Sequence, residues 1–217
     1  MDFIKLNNAI EQINILHKTV SENFFDNNSI NLRRMCVKDF VSSDPGKISE
    51  EFLDYIEKYY GILNSTLIMS DFDSDYSIWD ARIRIKQKES VQNKLYHYLV
   101  HHDKGEIPVQ KCLNDLLGFR LIIDDFSHDS TDTKSFLQSV KKDLHLMKCY
   151  TRDKDGYLGT HIYFKNSKNI YFPWELQVWN TSDAKKNEIA HSEHKAKRNY
   201  INWPKQYKDA NLRKDEK

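Results

Sequence analysis

Apolar residues recur at three- and four-residue steps from the first turn of the chain. Phe3, Leu6, Ile10, Ile13, Leu16, Val20 and Phe24 form one stripe and predict an amphipathic helix over 2–24. Asn27, Asn28 and Ser29 end it. After the Asp44-Pro45-Gly46 stop, a second helix is predicted over 48–63, with Phe52, Ile56, Tyr59 and Leu63 on one face. Residues 65–75 are turn-rich. The period then changes to two. Residues 77–86 (SIWDARIRIK) alternate apolar and polar positions, as a half-buried strand does, and 116–124 (LLGFRLIID) is an apolar run suited to an interior strand. Further strands are predicted over 148–152, 160–165 and 171–179. Helices are predicted over 90–100 and 133–147, and a closing helix runs from Ser182 to about Tyr200.

These elements define an α+β chain in which a mixed sheet of about five strands is flanked by helices. They divide it into an N-terminal helical region (1–74), an α+β unit (75–200) and a polar basic tail (201–217). Two short helices bury too little area to fold alone, so the N-terminal region is expected to be an extension of the main unit.

Bulk properties narrow the function classes. The 217 residues are 39% hydrophobic and 12% aromatic, enough for a core, and the net charge of +1 demands no nucleic-acid partner. Cys36, Cys112 and Cys149 are three separate thiols with no CxxC pair, which argues against a disulfide framework or a zinc ribbon. No 18-residue apolar run is present and the first residues do not form a signal peptide, so the cytoplasm is the expected compartment and no membrane partner is expected.

Six glycines and no GxxxxGK(S/T) mean that any phosphate must be held by side-chain cations. One segment suits that task. Arg84 and Lys86 are two apart on a strand and share a face, Ser90 sits where a helix would begin, and Lys94 lies one turn inside it. A solvated basic turn would look the same. Asp115 opens one otherwise apolar run and Glu175 interrupts another. A carboxylate in a central strand is costly unless it is paired, binds metal or sits at the sheet end. Two on neighbouring strands could hold Mg²⁺, and a salt bridge such as Asp115 with Arg120 is the structural alternative. In Asp155-Gly156-Tyr157-Leu158-Gly159-Thr160-His161 a glycine turn presents an aromatic ring and a histidine, either to stack on a base or as an ordinary hairpin with a core tyrosine. His191 and His194 share a face of the closing helix, but no third metal ligand is evident, so a phosphate contact or a core histidine is favoured over zinc.

Taken in order, these segments resemble the synthetase domain of the RelA/SpoT family, the alarmone synthetases. The family's R-x-K-x-x-x-S-x-x-x-K segment is matched by Arg84, Lys86, Ser90 and Lys94, and its D-x-x-G-x-R strand by Asp115, Gly118 and Arg120. Its (N/D)-G-Y-x-S-x-H turn is matched by Asp155, Gly156, Tyr157 and His161, its E-x-Q strand by Glu175 and Gln177, and the histidine of its closing helix by His191. The match spans roughly 75–200. It implies a nucleotidyltransferase-like sheet and an ATP-dependent pyrophosphokinase that moves the β,γ-pyrophosphate of ATP to a ribose 3′-hydroxyl.

The resemblance implies roles as well. Arg84, Lys86, Ser90, Lys94 and Arg120 would bind ATP. Asp115 and Glu175 would be the catalytic residues and the Mg²⁺ ligands, Glu175 also being a candidate base. Tyr157 would stack on the acceptor base, and His161, Gln177 and His191 would position the acceptor. GDP or GTP is the expected acceptor, giving guanosine tetra- or pentaphosphate. The competing acceptor is the 3′ end of tRNA, as in toxic members of the family, which would imply a neutralising antitoxin protein as a partner. An inactive nucleotide- or RNA-binding module is a third alternative. Two departures from the family pattern stand out, Gly159 in place of serine and Trp179 in place of the arginine of E-x-Q-x-R. The shortness of the chain at both ends further predicts that it lacks the family's hydrolase domain and its C-terminal oligomerisation helices. Residues 184–217 carry ten Lys or Arg against five Asp or Glu, either a phosphate-backbone patch or a solvated end.

Overall fold

A computed structural model describes residues 1–25, 30–42, 47–144, 146, 148–166, 168 and 170–196, with the side chains of 194–196 left undescribed. The predicted breaks at 27–29 and 44–46, the His194 side chain and the tail over 201–217 therefore lie outside the described residues.

The first helix, α1 (Phe3–Phe25), buries Leu6, Ile10, Ile13 and Val20 along the predicted stripe. The second, α2 (Glu50–Ile68), starts where the Ser49 hydroxyl accepts from the Phe52 N–H at 3.4 Å, with Glu50 and Glu51 favoured by the positive end of the helix. It extends past Leu63 into the segment expected to be turns. Ser65 and Thr66 are accommodated there because their hydroxyls bond back to Gly61 O and Ile62 O at 3.1 and 2.8 Å. A single turn, α3 (Phe72–Asp75), follows.

The strand expected over 77–86 shrinks to β1 (Arg82–Ile85), because Asp80 takes a left-handed conformation (φ 42°) that no strand tolerates. Next come α4 (Lys88–His101), the short α5 (Val109–Cys112), β2 (Leu117–Ile123) and α6 (Thr131–Asp143). Strands β3 (Lys148–Lys154) and β4 (Tyr157–Phe164) form a hairpin on the two-residue turn Asp155-Gly156, whose φ values of 53° and 77° suit this sequence. Tyr157 therefore opens β4 and His161 sits in its middle. Strand β5 (Trp174–Asn180) starts after Pro173, which lacks the N–H a ladder needs, and α7 (Thr181–Ala196) is the last described element.

The fold is α+β, with a five-stranded mixed sheet ordered β1-β2-β5-β4-β3. Only β2 and β5 run parallel, and they form its centre. One face is apolar, with Phe119, Leu121, Trp174, Leu176, Val178, Ile162 and Phe164 all buried. The N-terminal helices cover it. Trp174 Nε1 donates to Tyr59 Oη at 2.7 Å, Phe72 meets Phe119 edge-on, and His17 of α1 bonds Phe172 O at 2.9 Å. The other face carries the polar alternates. Helix α7 is anchored over part of it by Asn187, which is fully buried and bonds both the N–H and the C=O of Leu158, at 2.9 and 2.8 Å.

Candidate active site

Strand register decides what meets on the polar face. Arg84 pairs with Gly118, Gly118 with Glu175, Gln177 with His161, and Glu175 with Tyr163, so these positions form adjacent rows. A third row comes from β3, where Tyr150 pairs with His161 and Lys154 with Tyr157. Above these rows lies an open cavity of about 540 Å³, within the size range of small-molecule sites. Ten of the eleven residues singled out in the sequence line it: Arg84, Lys86, Ser90, Lys94, Asp115, Tyr157, His161, Glu175, Gln177 and His191.

One wall is a cation cluster built around the buried Lys86. The β1 backbone continues one residue past its end, with Lys86 N–H bonded to Leu116 O at 2.9 Å, so Lys86 keeps the alternation of Arg82 and Arg84. Its Nζ donates to Asp115 Oδ2 at 2.7 Å, and Lys94 Nζ donates to Oδ1 at 3.0 Å and to Asn114 Oδ1 at 3.1 Å. Burial pushes the Asp115 carboxyl up, but Lys94 and Lys86 outweigh it and hold the group well below the usual carboxylate range. Burial also pulls Lys86 down, whereas the Asp115 charge more than offsets burial at Lys94 and raises it. Helix α4 starts at Lys88, two residues before the position expected, so Ser90 lies in its first turn near its positive end.

Glu175 forms the opposite pole. It is 6% exposed and accepts from Tyr163 Oη at 2.5 Å and Gln177 Nε2 at 2.9 Å, while His161 Nδ1 lies 2.8 Å from Oε1. Burial raises its carboxyl, and the hydrogen bond and charge of His161 outweigh that and lower it, so Glu175 is ionised at neutral pH. Between Arg84 and Glu175 the floor is bare backbone. A Cβ at Gly118 would meet nothing nearer than Arg84 O at 3.9 Å, so the glycine answers no crowding and leaves open space there.

Arg120 is the exception. It does not line the cavity; its Nη1 donates to Glu188 Oε1 at 2.9 Å, its Nη2 reaches Gln177 Oε1 at 3.4 Å, and its guanidinium lies over the Trp179 ring at 3.6 Å. The suggested Asp115–Arg120 pair does not form, because Lys86 and Lys94 hold Asp115. Tyr157 is only 7% exposed, with its hydroxyl tied to His161 Nε2 at 2.9 Å and its ring against Trp179 and His191. Sequence reasoning missed the third wall, made by Tyr150, Arg152 and Lys154. The signal was their period of two along β3, which places all three on the face of their cross-strand partners. It also missed Asn187, for which no local pattern exists.

Among the described residues no group of three His, Cys, Asp or Glu side chains is arranged to hold a metal. Two carboxylates nevertheless fit Mg²⁺, an ion that takes one or two protein carboxylates and leaves its other positions to water and phosphate oxygens. A carboxylate offers about four lone-pair sites. Asp115 commits two to lysines and Glu175 three to His161, Tyr163 and Gln177, so both keep capacity toward an ion.

No protein-family model and no curated protein matches the chain. Among solved structures it is similar to a GTP pyrophosphokinase family protein from Streptococcus pneumoniae, at 19% identity over 68% of this chain and 76% of that one, with a TM-score of 0.40. It is similar also to small alarmone synthetase 1 from Bacillus subtilis, at 19% identity, 77% and 92% coverage and a TM-score of 0.39. Small alarmone synthetase 2 from the same organism gives 15% identity, 72% and 100% coverage and a TM-score of 0.37.

Proposed function

We propose that this chain transfers the β,γ-pyrophosphate of ATP to the ribose 3′-hydroxyl of GDP or GTP. The observation that carries this reading is a single cavity in which ionised Glu175 faces Arg84 across the bare floor at Gly118, with Lys86, Lys94 and Asp115 beside them. Transfer of a phosphoryl-type group needs positioning and charge neutralisation more than covalent chemistry, and a cluster of cations with two carboxylates supplies both.

Arg84, Lys86 and Lys94, with Ser90 at the start of α4, bind the phosphates of ATP. Arg120 supports them indirectly, through Gln177. Asp115 and Glu175 hold Mg²⁺, which when bound neutralises phosphate charge. Glu175 receives the hydrogen bond of the acceptor hydroxyl, and His161, Gln177, His191 and Tyr157 shape the acceptor side. The 3′-terminal ribose of tRNA is the second reading. It is favoured by Arg152 and Lys154, exposed at the cavity rim, which extend the positive field outward.

The test is γ-labelled ATP with Mg²⁺ and, separately, GDP, GTP and deacylated tRNA. Label on GDP or GTP is expected. Label on tRNA alone replaces the acceptor with the second reading, and label on none leaves a binding module.

A further inference from the structure

Helix α2 does more than cover the apolar face of the sheet. Tyr60, 4% exposed, donates from its hydroxyl to Lys86 O at 2.5 Å. Glu57, three residues earlier and so on the same side of α2, pairs with Lys88 Nζ. Both contacts land on the short link between β1 and α4. That link joins two sets of cavity residues, Arg84 and Lys86 at the strand end and Ser90 and Lys94 on the helix.

The link has little of its own to hold it. Past the end of β1, the Lys86 N–H still bonds Leu116 O at 2.9 Å. Gln87 is the N-cap of α4, yet its side chain makes no capping bond, so the helix starts without a side-chain cap. The Lys86 carbonyl belongs to a buried residue and costs free energy if left without a partner. The Tyr60 hydroxyl supplies that partner. The Glu57–Lys88 pair is exposed at both ends, 61% and 55%, where water screens it, so it holds the link far more loosely.

We propose that Tyr60 is a positioning residue for ATP: by holding the Lys86 carbonyl it fixes how the chain turns from β1 into α4. It thereby sets the spacing between Arg84 and Lys86 on one side of the turn and Ser90 and Lys94 on the other. This rests on the function proposed above, which assigns those four residues to the ATP phosphates. Groups spaced for one polyphosphate lose several contacts together when that spacing relaxes. The acceptor side, built from β4, β5 and α7, stands apart from the link.

The test compares the wild type with Tyr60→Phe, which keeps the buried ring and removes the hydroxyl. Tyr59→Phe is the control. Tyr59 is the next residue on the same helix, fully buried, and its hydroxyl accepts from Trp174 Nε1 at 2.7 Å. Its loss therefore strips a buried hydrogen bond from α2 without touching the link. ATP with Mg²⁺ is titrated into each protein by calorimetry without acceptor, and steady-state transfer is measured. Hydrogen exchange is followed at the Val91 amide, which bonds Gln87 O in the first turn of α4 at 3.1 Å. Tyr60→Phe is expected to raise both the Kd and the KM for ATP about fivefold or more, with the acceptor KM within about twofold. Val91 is expected to exchange faster in Tyr60→Phe than in Tyr59→Phe. Tyr59→Phe, although less stable to urea, is expected to keep the wild-type affinity for ATP. Failure of the wild type to bind ATP, or to transfer to any acceptor, overturns the proposed function itself. A wild type that binds ATP alongside a Tyr60→Phe variant of equal affinity, or equal losses in both variants, overturns the positioning role alone.

Discussion

Lys86 and Asp115 form a largely buried ion pair, Nζ to Oδ2 at 2.7 Å, and Lys94 grips the other oxygen of the same carboxylate at 3.0 Å. One negative charge therefore compensates two positive ones, Lys86 buried and Lys94 mostly so. Removing one partner of a buried pair costs about 3–5 kcal/mol, because the remaining charge is stranded. Asp115→Ala is expected to lower the unfolding free energy by about that much and to remove transfer activity. Asp115→Asn, which keeps an acceptor for one lysine, is expected to lose activity with a smaller loss of stability. Urea titration and a transfer assay on both variants check this, and full activity in Asp115→Asn contradicts the role given to the carboxylate.

His17 makes stability depend on pH. Its ring is buried between Phe172 O and the Asn166 amide, and burial lowers its pKa from 6.5 to about 4. Between those values the unfolded chain binds a proton that the folded chain refuses. The stabilisation is complete above about pH 6.5 and is lost as the pH falls toward 4, by about 3 kcal/mol in all. The unfolding free energies of wild type and His17→Gln should therefore converge as the pH drops from 7 to 5. A constant difference across that range contradicts the assignment.

The third wall of the cavity gives a separate prediction. Arg152 and Lys154 line it, whereas Lys148, on the same face of β3, does not and instead lies over the Tyr150 ring at 4.1 Å. Arg152→Ala and Lys154→Ala are expected to raise the acceptor KM by about tenfold with little change in kcat, the pattern of lost uniform binding. Lys148→Ala serves as the control and should stay within twofold of wild type. Equal effects at all three positions would point to a general surface field.

Asn187 holds α7 to the sheet through Leu158, and α7 carries His191 to the cavity. Asn187→Leu leaves a backbone donor and acceptor without partners, at about 1–3 kcal/mol for each unsatisfied group. Hydrogen exchange at the Leu158 amide should accelerate in this variant more than exchange at the central strand residue Leu121. Unchanged protection at Leu158 contradicts the anchoring role.

Much of this was legible in the sequence, for physical reasons that differ by element. The α1 stripe and the apolar β2 run obey strong periodicities, and both elements fall within two residues of where they were expected. β1 was overestimated because the alternation of 77–86 continues through Asp80, whose left-handed backbone the pattern does not reveal. The carboxylates of the cavity stood out because charge in an apolar run is costly, and the cations because Arg84 and Lys86 share a strand face just ahead of a helix start. Tyr150, Arg152 and Lys154 did not, since polar residues in an edge strand usually mean a solvated face. The closeness of Gly159 to Trp179, where a Cβ on the glycine would stand 3.0 Å from Cδ1, arises between different strands and has no local sequence pattern.

The central claim, that Glu175 and the cation cluster of one cavity carry out pyrophosphate transfer, is tested most directly with ATP labelled at the β-phosphorus. Wild type and Glu175→Gln are compared with Mg²⁺ and the acceptors above. The wild type is predicted to release AMP and place the label on an acceptor, and Glu175→Gln, still folded, to do so at least about a hundredfold more slowly. Release of ADP with an unlabelled acceptor, or undiminished transfer by Glu175→Gln, would contradict it.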